Sequence, residues 1–369
     1  MIILSSIINT FESAFFTQYQ RQILPSHRKA LTAMKVCRTK QSPKMLAGCS
    51  QCDHQTYVPH SCGHRNCPHC QSHECQQWLE RQLKKQVPAE YFLLTFTLPA
   101  EFRCLASHHQ RKVYALIMQC SWDTVHTFSQ NDKHLQGKPG AISVLHTHSR
   151  HLGYHPHVHM VIPAAAIDVK KRLWRTKKSG SKGKSGYLFC HKALAKVFQA
   201  KILNAITKEG LSLPSKYPAK WVVDCKSVGS GEKALIYLGR YLYRGVIQEK
   251  DIVSCCNGQV TYRFINSKTG VMEYRTVTGA KFLWLVIQHV LPKSFRRTRN
   301  YGYLHPNSKR LIQLLHLILD VNPLRALGWI KERPKLVCRC CGASMKIVKT
   351  RILPALNCKT KEGVKPLGM

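Results

Sequence analysis

Residues 154–163 read YHPHVHMVIP, and this stretch decides how the chain is understood. Side chains on a strand alternate between its two faces, so His155, His157 and His159 share one face. Val158, Met160 and Ile162 share the other, which can pack on a core. The pattern predicts a strand that buries one side and presents imidazoles from its opposite side. A preceding strand over 141–148, joined to it by a short turn containing Gly153, carries His146 and His148 at matching parity. Imidazoles held on one rigid face make a natural divalent-metal site. A His-hydrophobe-His triplet also arises by chance in a chain with 20 histidines, so the strand needs support from the rest of the sequence.

Downstream, SGEKALIYLGRYLYRG (230–245) predicts a helix, with Ser230 as N-cap and Gly245 as the stop. With Tyr237 at zero on the helical wheel, Tyr241 lies about 40° to one side. Arg244 lies about 20° and Arg240 about 60° to the other side, while Tyr243 falls about 120° away. Two phenols and two guanidiniums thus share a face. A phenol can attack a DNA phosphodiester and become a covalent phosphotyrosine, given help to lose its proton. Arginine binds phosphate oxygens and stabilises the charge that builds during transfer. Packing alone also produces Tyr at this spacing.

Upstream, Cys49/Cys52 and Cys67/Cys70 form two C-x2-C pairs, the spacing of a structural zinc site. Cys62, His64 and His69 lie inside the module, and Cys62 is an alternative ligand. A later cluster, Cys338, Cys340 and Cys341, has no clear second pair and reads as free thiols. The chain has 17 cysteines, an odd and clustered set. With no basic n-region before its apolar first residues, it reads as a cytosolic metal-binding protein rather than a disulfide-bonded one.

The 369-residue chain carries 57 Lys and Arg against 18 acidic residues, a formal charge of +39. Such an excess calls for a polyanion, and nucleic acid fits better than a membrane, since no apolar run is long enough to span one. The rest of the chain alternates strands and helices. Strands are predicted over 91–98, 220–225, 260–265 and 271–277, the last two as a hairpin around Lys268, Thr269 and Gly270. Helices are predicted over 76–86, 106–130 and 191–208. Residues 170–186 read as a basic Gly/Ser-rich loop, and the chain after residue 305 reads as helical around a Cys knuckle. This mixture predicts an α+β fold with an antiparallel sheet.

Four segments occur in one order: SCGHRNCPHCQ (61–71), HPHVHMVIP (155–163), YLGRYLYR (237–244) and FLWLVIQHVLPKSFRRTRNYGYL (282–304). Together they resemble the two-tyrosine HUH rolling-circle transposases of bacterial insertion sequences, with their N-terminal transposase zinc-binding domain. The resemblance spans roughly residues 10–345. It implies a small Cys-rich zinc domain, then a palm-like HUH nuclease domain with a central antiparallel sheet and flanking helices. The corresponding divisions are 1–90, 91–305 and 306–369.

It further implies that His157 and His159 hold a catalytic Mg²⁺ or Mn²⁺. Tyr237 and Tyr241 would be nucleophiles, and Arg240 and Arg244 would bind phosphate. A third metal ligand would come from His146, His148, His155 or Asp224. Zn²⁺ would be structural. The partner would be single-stranded DNA at element ends and target, with no nucleotide cofactor, in a bacterial cytoplasm beside the nucleoid. Tyr301 and Tyr303, beside Arg296, Arg297 and Arg299, could stack bases. Competing readings are a plasmid replication initiator or relaxase with the same chemistry, a zinc hydrolase, and a non-catalytic zinc-dependent nucleic-acid-binding protein.

Overall fold

The computed structural model describes residues 2–168, 170–177, 188–243, 245–266, 269–330 and 335–353. Much of the basic Gly/Ser-rich segment, Lys268, Arg244 and Cys358 lie outside these residues.

The chain opens with α1 (Leu4–Tyr19) and α2 (Pro25–Val36), then β1 (Lys44–Cys49), β2 (Gln55–Pro59) and α3 (Ser72–Leu83). There follow β3 (Tyr91–Thr97), α4 (Arg103–His108), α5 (Gln110–Asn131), β4 (Lys138–His148), β5 (Tyr154–Pro163), β6 (Ala165–Asp168) and β7 (Leu173–Thr176). Next come α6 (His191–Lys208), β8 (Val223–Ser227), α7 (Glu232–Tyr243), β9 (Ile252–Cys256), β10 (Gln259–Ile265) and β11 (Met272–Thr278). The last elements are α8 (Gly279–Ile287), β12 (Thr298–Gly302), α9 (Lys309–Ile318) and β13 (Met345–Ile352).

The central sheet has seven strands, in the order β7-β6-β4-β5-β3-β8, with β12 paired to β4. Every pairing is antiparallel. Phe92, Leu94 and Phe96 of β3, with Val158, Met160 and Ile162 of β5, pack beneath α5 and α6. The opposite face meets α3, α7 and α9 through Leu93, Val144 and Val161 against Leu79, Leu235, Leu238 and Ile312. The sheet is therefore covered on both sides, which explains why β3 reads as a continuous apolar run rather than an alternating one. A third apolar cluster joins α1, α2 and α8 to the small sheet β9-β10-β11, through Ile7, Phe15, Leu31, Tyr262 and Phe282. The fold is the expected α+β class with an antiparallel sheet.

Several elements differ from the sequence reading. The helix predicted over 106–130 is two, α4 and α5, separated at His109. Residues 298–302, for which no strand was expected, form β12, which finds a partner because β4 is long enough to pair with β6 at its start and with β12 over residues 140–144. Beyond residue 305 the chain is not all helical. Met345–Ile352 is a strand that pairs antiparallel with β1, so the C-terminal segment and the N-terminal hairpin form one sheet, β13-β1-β2. Ile347, Val348 and Thr350 are β-branched, a propensity signal that the expectation of a helical tail passed over.

Candidate active site and metal centres

β5 delivers its histidines as its alternation predicts. His157 lies opposite His146 of β4, and His159 lies opposite Val144 on one side and Thr95 of β3 on the other. The coordinating nitrogens of His146, His157 and His159 all fall within 4.8 Å of one another. Ring centroids are 4.3 Å apart for His146 and His159, 5.2 Å for His146 and His157, and 4.9 Å for His157 and His159. This is a donor set of three imidazoles on one rigid face.

The surroundings keep those imidazoles neutral. Burial is the main cause of the shift in each: it lowers His157 to about 4 and His159 to about 3, and holds His146 well below its usual value. His157 and His159 also depress the protonation of His146, and His157 that of His159. Two are oriented by their second nitrogen, as metal-binding histidines are. His157 Nδ1 lies 2.7 Å from the His155 carbonyl oxygen, so it donates. His159 Nδ1 lies 3.2 Å from Thr95 Oγ1. The carbonyl contact leaves His157 Nε2 as a lone-pair donor, and His159 Nε2 is one too in the tautomer whose Nδ1–H donates to the Thr95 hydroxyl. The three nitrogens fit a divalent ion.

The remaining third-ligand candidates lie elsewhere. A register shift between His146 and His148 puts His148 opposite Tyr154 instead, with its ring 5.2 Å from His289. His155 approaches Arg103, and Asp224 is exposed on β8.

α7 carries the tyrosine motif. It starts at Glu232, after Gly231 at φ +92°, rather than being capped by Ser230. A side chain at Gly231 would collide with the Tyr91 ring, so glycine is needed there for both conformation and space. Tyr237 is 47% exposed, and its ring stands edge-on to His159 with centroids 6.4 Å apart. Partial burial raises its pKa, and the Arg150 guanidinium opposes the rise. The backbone of Tyr241 and Arg240 lies on the same helix, but their side chains, like all of Arg244, lie outside the described residues.

Beside Tyr237 an open cleft of about 870 Å³ is lined by Arg150, Lys233, Lys250 and Arg263. Phe264 and Trp329 contribute aromatic surface to the same cleft.

One residue whose role the sequence reading missed joins these parts. Arg297 donates from Nε to the Leu145 carbonyl (3.0 Å) and from Nη1 to the Leu242 carbonyl (3.2 Å). It thus ties the C-terminal end of the tyrosine helix to the histidine-bearing strand β4. It was expected only as a neighbour of Tyr301 and Tyr303, the tyrosines read as base-stacking groups. Those tyrosines are engaged within the protein as well: Tyr303 is buried, and Tyr301 stacks on Trp122 at 4.9 Å.

The cysteines require a correction. Cys49, Cys52, Cys67 and Cys70 do not form one site. Cys67 and Cys70 gather with Cys37 and Cys62. Cys37 Sγ is 3.3 Å from Cys70 Sγ and 3.5 Å from Cys67 Sγ. Cys62, the expected alternative, is in this set. Cys37, just past α2, was not singled out, because a ligand contributed by a distant helix end has no spacing to reveal it. Cys49 and Cys52 instead approach Cys338 and Cys341.

The Cys62–Cys70 knuckle packs against the segment that follows the tyrosine helix. Gly245, just past the tyrosine helix, sits so close to it that an added Cβ would lie 3.1 Å from the Asn66 carbonyl oxygen and 3.2 Å from Pro68. His69 pairs with the buried Glu249 at 2.9 Å, and Arg65 donates to the Phe295 carbonyl at 2.8 Å.

Among the described residues, no helix is long and apolar enough to cross a membrane. Comparison with known proteins gives two family matches. Residues 7–98 match a transposase zinc-binding domain, and residues 140–311 match a putative transposase. The chain is 29% identical over 323 residues to the putative transposase y4qJ of Sinorhizobium fredii (strain NBRC 101917 / NGR234), covering 81% of this chain and 79% of that protein. It is 24% identical over 301 residues to the transposase for insertion sequence element IS801 of Pseudomonas savastanoi pv. phaseolicola, covering 75% and 70%. Among solved structures, the conjugative relaxase TrwC in complex with oriT DNA (metal-free) is similar over 63% of this chain and 72% of that one, with 13% identity and a TM-score of 0.26. TrwC complexed with a 27-mer DNA comprising the recognition hairpin and the cleavage site is similar over 63% and 74%, with 12% identity and a TM-score of 0.25. The two matches fall in one order along the chain, a transposase zinc-binding domain and then a transposase domain, and the protein is a transposase, an enzyme of DNA cleavage and transfer.

Proposed function

We propose that this transposase cuts and rejoins single-stranded DNA at the ends of an insertion sequence, as a two-tyrosine HUH enzyme does, through a 5′-phosphotyrosine made by Tyr237. The observation that carries this reading is the position of Tyr237 beside three neutral imidazoles on a rigid sheet. A divalent ion held by His146, His157 and His159 would polarise the scissile phosphate. An all-nitrogen set suits a transition-metal ion better than Mg²⁺, so Mn²⁺ should support the faster reaction.

The protein's own groups supply the rest. Tyr237 Oη attacks phosphorus, a P–O bond forms to the phenol, and the P–O3′ bond breaks. The phenol gives up one proton and the departing 3′ oxygen gains one, so a 3′ hydroxyl is released and no nucleotide is consumed. Arg150, in the cleft wall, favours the phenolate. Attack of a 3′ hydroxyl on the phosphotyrosine then restores the phosphodiester and the free phenol. Tyr241, one turn further along α7, is assigned the second strand, with Arg240 and Arg244 on its phosphates. The cleft suits a single strand: Arg150, Lys233, Lys250 and Arg263 line it for the backbone, and Phe264 and Trp329 offer stacking surface.

The test uses single-stranded DNA from the element's ends, labelled at either terminus and incubated with Mn²⁺. The reading predicts that the 3′-labelled fragment becomes joined to the protein through its 5′ phosphate, and that the 5′-labelled fragment ends in a free 3′ hydroxyl. Metal-dependent cleavage without an adduct would point to a hydrolase. Salt-sensitive binding with neither product would point to a binding protein.

A further inference from the structure

We propose that Cys49, Cys52, Cys338 and Cys341 form a second zinc site, which clasps the C-terminal strand to the N-terminal hairpin. The four thiols come from two C-x2-C knuckles nearly 290 residues apart in sequence. Cys49 Sγ lies 3.4 Å from Cys341 Sγ, and Cys52 Sγ lies 3.7 Å from both Cys338 and Cys341. A disulfide requires about 2.05 Å between sulfurs. Four thiolates around one zinc, each about 2.3 Å from the metal, stand about 3.8 Å apart. The observed spacings match the second arrangement.

The backbone is shaped to the same end on both sides. The Gln51 N–H points at Cys49 Sγ at 3.4 Å, and the Cys340 N–H points at Cys338 Sγ at 3.4 Å. Such N–H groups stabilise a thiolate. Each knuckle is closed by its own turn, through Cys49 N–H to the His54 carbonyl (2.9 Å) and Cys338 N–H to the Ala343 carbonyl (2.8 Å). The two are stitched together by Ser50, whose N–H and hydroxyl both donate to the Ser344 carbonyl.

The small sheet also needs a fastening. β13 pairs with β1 from Cys49 opposite Met345 to Lys44 opposite Ile352, yet most of its side chains are exposed, Val348 at 65%. A three-stranded sheet with so little apolar burial has weak independent stability, and small units of this kind are held by a metal or a disulfide. Of the four cysteines, Cys338 and Cys341 lie beyond both matched segments, and the site is distinct from the Cys37/Cys62/Cys67/Cys70 set. His54 and Cys340 also approach Cys338, so they are the alternative donors to be tested.

The experiment is a Co²⁺ titration of the full chain after metal removal under reducing conditions, read by thiolate-to-cobalt absorbance, which the histidine site does not produce. The proposal predicts saturation at two equivalents per chain; saturation at one overturns it. Zinc content is then measured in the His157→Ala/His159→Ala background. Two zinc ions per chain are expected, falling to one in both Cys49→Ser/Cys52→Ser and Cys338→Ser/Cys341→Ser, and remaining two in Cys340→Ser. The zinc ion kept at the Cys37 set reports that the variants have folded. Retention of both ions in Cys338→Ser/Cys341→Ser, or loss of one in Cys340→Ser with none lost in Cys341→Ser, overturns the ligand assignment. None of these readouts depends on DNA cleavage, so the outcome is independent of the proposed reaction.

Discussion

Tyr237 stands edge-on to His159, its ring centroid 6.4 Å from the imidazole's and its plane turned by 77°. The two residues come from α7 and β5, elements separated by more than 60 residues of chain, and the geometry depends on how firmly each is held.

On the strand side the holding group is Thr95. Its hydroxyl sits 3.2 Å from His159 Nδ1 and so sets which nitrogen faces the other histidines. Thr95→Val keeps the shape and removes the partner. Metal affinity should fall about 10- to 100-fold, the usual effect of losing such a contact. Isothermal titration with Mn²⁺ measures it, and unchanged affinity would mean that the hydroxyl does not select the tautomer.

On the helix side the brace is Arg297, with one hydrogen bond to β4 and one to the end of α7. Arg297→Ala removes both and should cost about 2 kcal/mol of stability. Cleavage should fall further than stability alone explains, because α7 is left free to shift against the histidines. Urea unfolding and single-turnover cleavage measured on the same preparation separate the two effects. A loss of stability with full cleavage activity would show that α7 keeps its place without the brace.

The Cys62–Cys70 knuckle meets the same helix at this same C-terminal end, through Asn66 and Pro68 against Gly245. Removing zinc from the Cys37, Cys62, Cys67 and Cys70 set should therefore depress cleavage even with Mn²⁺ in excess. Gly245→Val should do so with zinc still bound, since its side chain would press on the knuckle. Zinc content and cleavage rate, measured together, test this. Full activity in the valine variant would make the contact incidental.

Buried histidines give the protein a pH dependence of known sign. Burial lowers His27 and His157 to about 4, and His159 and His289 to about 3. The unfolded chain binds these protons near pH 6.5, where the folded chain refuses them. Stability is thus full above pH 6.5 and falls as pH drops toward 4, each histidine contributing up to about 1.4 kcal/mol per pH unit. The urea midpoint should decrease from pH 7.5 to pH 5.5, a window above the carboxylate range. An equal or higher midpoint at pH 5.5 would show that these histidines are not buried as neutral groups.

The chemistry-bearing motifs were legible in the sequence because each is local. Alternation placed His157 and His159 on one face, and helical spacing placed the tyrosines on one element. What joins the motifs was not legible. His146 and His148 have the same parity, and only the register shift between them sends one to the site and the other to His289. The cysteine pairs were visible as pairs, but their pairing was misassigned, because strand β13 returns to β1 from the far end of the chain. Arg297 looked like one cation among several, beside Arg296 and Arg299, and its role depends on two carbonyls from two other elements.

The central claim is that Tyr237 becomes covalently linked to DNA. Trypsin separates the two tyrosine candidates, since cleavage after Lys233, Arg240 and Arg244 leaves Tyr237 in residues 234–240 and Tyr241 in residues 241–244. The adduct formed with Mn²⁺ would be digested with nuclease and trypsin, and the nucleotide-bearing peptide identified by mass spectrometry. The account predicts a 5′-phosphonucleotide on residues 234–240 in the first cleavage, absent from Tyr237→Phe. A first-cleavage adduct confined to residues 241–244, or carried by no tyrosine of α7, would contradict it.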